Sequence, residues 1–98
     1  MENILQILND TIKERQQNPS AASYTTTLLE GGANKIIKKL GEENAEFIKA
    51  FLTEAPHETA CEAADYIYHL MVALRFKGID FNEVLKVLEE RHSPQEGK

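Results

Sequence analysis

One cysteine, Cys61, among 98 residues excludes an intrachain disulfide framework and suits a reducing compartment. Long apolar runs are missing as well. The most hydrophobic stretch, EAADYIYHLMVALRF, is interrupted by Asp65, His69 and Arg75, so no membrane span is expected. The run MENILQILNDTIKERQ has no basic start followed by an apolar block, so no signal peptide is expected and a cytoplasmic location follows. There is no glycine-rich phosphate loop ending in Lys-Ser/Thr and no nucleophile elbow. No segment alternates with strand period, and no internal repeat or low-complexity tract is visible. Positive charge is not in excess either: the net charge of −5 argues against non-specific nucleic-acid binding. It leaves room for an anionic substrate met by a local basic cluster and a metal.

Helical periodicity is what the chain does have. Ile4, Leu5, Ile7, Leu8 and Ile12 recur at helical spacing over residues 2–16, before Asn18-Pro19-Ser20 breaks the pattern. Ser23 is placed to cap a short helical stretch from Tyr24 to Leu29, ended by Gly31-Gly32. A long helix is expected over Ala33–Leu52, and Pro56 separates it from a second over Glu58–Lys77, with Gly78 just past its end. Asp80 and Glu83 have capping-box spacing for a last helix carrying Val84, Leu85, Val87 and Leu88. The expected architecture is all-α: a hairpin of two long helices with shorter flanking helices, one domain over residues 1–92, and a flexible tail over 93–98. The helix around Tyr66–Leu74 is apolar on too many sides for one partner helix to cover. A second copy is the economical cover, giving a homodimer with a four-helix core.

On the first long helix, Ile36, Leu40, Phe47 and Phe51 share one face, flanked by Ile37 and Ile48, while Lys35, Lys39, Glu42, Glu46 and Lys49 share the other. Glu43 lies on the border, one turn before Glu46. On the second long helix Glu62, Asp65 and His69 follow one another about a turn apart, in an apolar setting. Each helix thus presents acids at i and i+3, Glu43/Glu46 and Glu62/Asp65. In an antiparallel hairpin these pairs meet, and four unneutralised carboxylates repel. A divalent cation resolves the conflict, and an all-oxygen set suits Mg²⁺ or Mn²⁺ better than zinc. Taken alone, the acids of the first helix also read as a solvated face paired with Lys38, Lys39 or Lys49. Lys35, Lys38 and Lys39 precede the acids and could neutralise substrate phosphates, or could simply pair with glutamates. His69 is placed to hydrogen-bond Asp65 or a core backbone group; His57 reads as solvent-facing, and His92 as a partner of a helix dipole. Cys61 reads as a small core residue, and Tyr66 and Tyr68 as packing.

The residues EENAE at Glu42–Glu46, followed by EAAD at Glu62–Asp65, resemble the EExxE…ExxD pattern of the all-α MazG-like nucleotide pyrophosphohydrolases. Within that superfamily, SYTTTLL from Ser23, KIIKKLGEENAE and EAADYIYHLMVAL are similar to the phosphoribosyl-ATP pyrophosphatases of histidine biosynthesis, over about Ser23–Arg91. Asn44 departs from the alanine common there and falls on the apolar side of the helix, where it needs a hydrogen-bond partner. The resemblance implies Glu43, Glu46, Glu62 and Asp65 as Mg²⁺ ligands, Glu42 as either a supporting group behind the ligands or the water activator, and Lys35, Lys38 and Lys39 as phosphate contacts. It implies hydrolysis of the α–β phosphoanhydride of phosphoribosyl-ATP to phosphoribosyl-AMP and pyrophosphate. It also implies a functional link to phosphoribosyl-AMP cyclohydrolase, which 98 residues leave no room for and which is expected on a separate chain. Two other readings of the same residues stay open: a house-cleaning pyrophosphohydrolase of nucleoside triphosphates, and a non-catalytic helical dimerisation module. A di-iron bundle is disfavoured, because the Glu-x-x-His pairs Glu54/His57 and Glu89/His92 avoid the two central helices.

Overall fold

The structure, a computed structural model, describes residues 3–92. The tail expected over 93–98 lies outside the described residues. Four helices follow in order: α1 (Ile4–Gln17), α2 (Tyr24–Thr53), α3 (Pro56–Phe76) and α4 (Phe81–Arg91). Among the described residues no helix is long and apolar enough to cross a membrane.

Helix α1 starts at Asn3, whose side chain accepts from the Gln6 N–H. Helix α2 starts at Ser23 in the same way, with Thr26 as donor. It is broken at Gly32, where φ is 86° and ψ 177°. Only glycine enters that region of backbone space without strain. The break separates the Tyr24 end of α2 from its acid-bearing length, as the sequence predicts. Pro56 is not a spacer before α3 but its first helical residue. The missing N–H costs nothing there, because the first four N–H groups of a helix have no partner within it. Helix α3 ends in a Schellman motif around Gly78 (φ 83°): Gly78 N–H donates to the Arg75 carbonyl at 2.9 Å and Ile79 N–H to the Leu74 carbonyl at 2.9 Å.

Only the residues Glu54 and Ala55 join α2 to α3, so the two helices run antiparallel. The Thr59 hydroxyl donates to the Ala50 carbonyl across the turn at 3.0 Å, and Phe47 stacks on Tyr66 with ring centroids 6.3 Å apart. The core lies at the far end of this hairpin, where α1 and α4 pack on it. Ile12, Leu28, Ile36, Met71, Val72 and Phe81 are buried there. Towards the turn the hairpin stands bare, with Phe51 69% and Leu52 71% exposed. Ile37 and Ile48 of α2 are exposed too, and so are Ile67 and Phe76 of α3, so within one chain α3 is not the all-round buried helix that its apolar pattern predicts. The surface expected to bury it is not supplied by α1 and α4. Asn44, expected to need a partner, is exposed and can be solvated.

One buried polar link ties α1, α3 and α4 together. Asp80 caps α4, accepting from the Asn82 N–H at 2.9 Å, while its own N–H donates to Glu83 at 3.2 Å, which completes the capping box. The same carboxylate accepts from buried Asn9 at 3.0 Å and from Arg75 at 3.0 Å. The Asn82 N–H, followed by Asn9 and Arg75, holds the Asp80 carboxyl below its ordinary value. A depressed carboxyl contributes stability that is present above its unfolded-state value and lost as pH falls through the folded-state value. Asp80→Ala is therefore expected to cost about 1–2 kcal/mol at neutral pH, the size of a lost helix cap. The gap between wild type and variant should close in urea titrations below the ordinary carboxylate range. A gap unchanged between pH 7 and strong acid would show that the charge is not what stabilises.

Candidate metal centre

The α2–α3 hairpin sets the register of the acids. Because the helices are antiparallel with a two-residue turn, positions before the turn meet positions equally far beyond it. Glu43 is thereby set level with Asp65 and Tyr66, and Glu62 lies one turn nearer the connection on α3. One carboxylate oxygen from each of Glu43, Glu62 and Asp65 lies within 4.8 Å of the other two. Glu43 and Glu62 are half-buried and Asp65 is exposed, so the cluster opens to solvent on one side.

Electrostatics mark the cluster as short of positive charge. Loss of solvent pushes the Glu62 carboxyl above its ordinary value, and the charges of Asp65, Glu46, Glu43 and Glu54 push it further. Glu46 therefore acts on Glu62 through its field but stands outside the group of three. No basic side chain appears among these influences. Three convergent carboxylates with unbalanced charge fit a hard divalent cation. Neither of two clefts on the single chain, about 240 Å³ beside Arg15, Pro19 and Leu29 and about 360 Å³ beside Ile36, Ile37 and Ala73, is lined by these acids.

The remaining candidates fall around this centre. Glu42 stands outside the group of three and pairs with Lys39 at 3.3 Å. That hydrogen bond, then the Tyr24 hydroxyl and the charges of Glu42 and Glu43, holds the Lys39 ammonium above its ordinary value. Lys35 and Lys38 are exposed, and the Lys35 stem lies so close to Gly31 that a Cβ there would sit 2.3 Å from Lys35 Cδ. Cys61 is exposed rather than in the core, with the His57 ring 3.7 Å from its sulfur.

His69 is buried and its contacts fix its tautomer. Nδ1 lies 2.7 Å from the Asp65 carbonyl, which can only accept, so Nδ1 carries the hydrogen. Nε2 of the neutral ring then accepts, and the Tyr24 hydroxyl, 3.0 Å away, donates to it. Glu43 lies 4.0 Å from Nδ1, so the ring joins the acid cluster to the start of α2. Beside it Thr25 and Tyr68 share a short hydrogen bond, and burial pushes the Tyr68 hydroxyl above its ordinary value. This Tyr24–His69 and Thr25–Tyr68 pairing is what reading the sequence misses. The only signal for it is the run of hydroxyl side chains Ser23–Thr27 at a helix start, which looks like capping.

Comparison with known proteins bears on the same residues. The family model described as phosphoribosyl-ATP pyrophosphohydrolase matches residues 5–92. A histidine biosynthesis bifunctional protein HisIE of Prochlorococcus marinus is 53% identical over 89 residues, which are 91% of this chain and 40% of that protein. A phosphoribosyl-ATP pyrophosphatase of Methanoculleus marisnigri is 43% identical over 91 residues, 91% of this chain and 94% of the relative. One from Bacillus mycoides is 41% identical over 92 residues, covering 94% and 86%. The chain thus spans about two fifths of the bifunctional relative and nearly all of the two shorter ones. The matched span includes every helix described here from Leu5 onward, along with the acid cluster and the Tyr24 segment. On that match, the chain belongs to the phosphoribosyl-ATP pyrophosphohydrolase family.

Proposed function

We propose that this chain hydrolyses the α–β phosphoanhydride of phosphoribosyl-ATP, giving phosphoribosyl-AMP and pyrophosphate in histidine biosynthesis. The observation that carries the reading is the meeting of Glu43, Glu62 and Asp65 oxygens within 4.8 Å on the two helices that the family match covers. Glu43, Glu62 and Asp65 hold Mg²⁺, or Mn²⁺ in its place, with Glu46 as a fourth acid beside them. Bound there, the cation supplies charge neutralisation at phosphate oxygens and a lowered pKa for water. Glu42 takes the proton from the attacking water. Lys39, with Lys38 adjacent and Lys35 one turn before it, faces the phosphates; the Lys39–Glu42 pair at 3.3 Å keeps the lysine ammonium and the base next to each other. Water adds across the anhydride, so no covalent intermediate is required.

The working form is a homodimer. Exposed Ile37, Ile48, Phe51, Leu52 and Ile67 form more apolar surface than an isolated hairpin carries without a partner. The radius of gyration, 15.0 Å, exceeds the ~13 Å of a compact chain of about 100 residues, which fits a hairpin built to pack on another. A functional link to phosphoribosyl-AMP cyclohydrolase follows from the product, and relatives described as bifunctional histidine biosynthesis proteins support it.

The test is pyrophosphate release from phosphoribosyl-ATP, with Mg²⁺ and with chelator. Release that depends on the metal supports the assignment. Release only from a nucleoside triphosphate in a panel would transfer the chain to the house-cleaning reading. Release from nothing would leave a helical dimerisation module.

A further inference from the structure

Tyr24, the first residue of α2, remains 49% exposed although its hydroxyl is already engaged by buried His69 at 3.0 Å. With the hydroxyl engaged there, the exposed part of the residue includes carbon of the ring. Surface tyrosines ordinarily keep the hydroxyl in water; that of Tyr24 bonds inward to His69 instead. The ring is also fixed. Its inner side is offset-stacked on Tyr68, with centroids 6.2 Å apart and planes 25° apart, and it meets His69 edge-on at 5.8 Å. The turn that carries it is pinned by Thr25 to Tyr68, by Thr26 N–H to Ser23, and by Ser20 N–H to the Thr26 hydroxyl. Its location is specific too, because His69 lies 4.0 Å from Glu43.

We propose that the open face of Tyr24 is the stacking wall for the purine base of a nucleotide whose phosphates meet Lys39 and the cation held by Glu43, Glu62 and Asp65. The inference rests on the pyrophosphohydrolase reading and adds the base subsite to it. An aromatic ring locked in place by packing and hydrogen bonds has no ordering entropy left to lose when a base lands on it. With its hydroxyl turned inward to His69, the ring offers the base a π-surface and no hydrogen bond. This subsite therefore recognises that a base is present, and leaves base identity to other contacts.

The experiment compares binding of AMP and of inorganic pyrophosphate, each with Mg²⁺, to the full chain by calorimetry. Tyr24→Leu is expected to weaken AMP about tenfold or more and to leave pyrophosphate within about twofold. Tyr24→Phe keeps the ring and should retain most of the AMP affinity. The adenine H2 and H8 resonances should move upfield on binding to wild type and to Tyr24→Phe, and not to Tyr24→Leu. Equal weakening of both ligands in Tyr24→Leu, no weakening of either, or AMP bound by wild type without an upfield shift would overturn the inference. Should Tyr24→Leu not fold, the resonance shifts in wild type and Tyr24→Phe still decide it. Wild type binding neither ligand would instead remove the pyrophosphohydrolase reading, and the base subsite with it, before any variant is compared.

Discussion

Glu62→Gln should lower pyrophosphate release by about a hundredfold or more, the order of a Lewis-acid cation's contribution to phosphoryl chemistry. The same substitution should make the metal-free chain more stable. Glu62 has the most crowded electrostatic position in the cluster, raised by loss of solvent and then by Asp65, Glu46, Glu43 and Glu54. A carboxyl raised in the folded state favours folding when protonated. Its contribution is complete below the unfolded-state value and is lost as pH rises through the folded-state value. At neutral pH the metal-free wild type therefore carries an unrelieved repulsion that the glutamine removes, and in acid the two proteins converge. Thermal unfolding in chelator at pH 4 and pH 7 reads this directly. Adding Mg²⁺ at pH 7 should raise the wild-type midpoint and leave the variant's unchanged. A variant that keeps wild-type turnover, or a wild type indifferent to Mg²⁺, would show the cluster to be only a solvated acidic face.

The second large effect concerns Gly32 and is backbone alone. A Cβ added there meets no atom within 4 Å, yet φ of 86° with ψ of 177° is closed to other residues. Gly32→Ala is expected to cost about 1–3 kcal/mol in denaturant titrations. Relieving that strain by straightening α2 would carry Tyr24 away from His69, so activity should fall while the stabilising response to Mg²⁺ survives, because the acids all lie beyond the break. Gly41 is the matched contrast. It is exposed, regular helix with equally open space around it, and Gly41→Ala should stabilise by about 0.5–1 kcal/mol. If Gly32→Ala matched Gly41→Ala, α2 would be one continuous helix in solution.

Much of this is legible in the residue order, because helix ends are chemically local. Ser23, Gly32, Gly78 and the Asp80/Glu83 box act through neighbours a few positions away, so their roles can be read without the fold. The i,i+3 spacing of the acids gives their direction on each helix, and the short connection brings the two faces together. What spacing omits is depth. A helical wheel places Glu46 with Glu43 and Glu62 with Asp65, but only side-chain reach across the hairpin decides that Glu43, Glu62 and Asp65 converge while Glu46 acts from a distance. The same limit accounts for Cys61, which is small enough for a core and faces out. The contacts of Tyr24 with His69 and of Thr25 with Tyr68 cross more than forty positions and have no periodic signature.

The two-residue connection between α2 and α3 also governs the order in which the protein assembles. Glu43 and Asp65 are brought together by closing a chain loop of only about twenty residues, and closure entropy grows slowly with the logarithm of loop length. The hairpin can therefore form by local diffusion before α1 or α4 docks, within the rapid regime of low-contact-order helical proteins. The carboxylates confront one another at that early stage, while the hairpin is still searching for its partners. A cation captured then fastens the two long helices in register, and the remaining helices build on a hairpin whose alignment is already set.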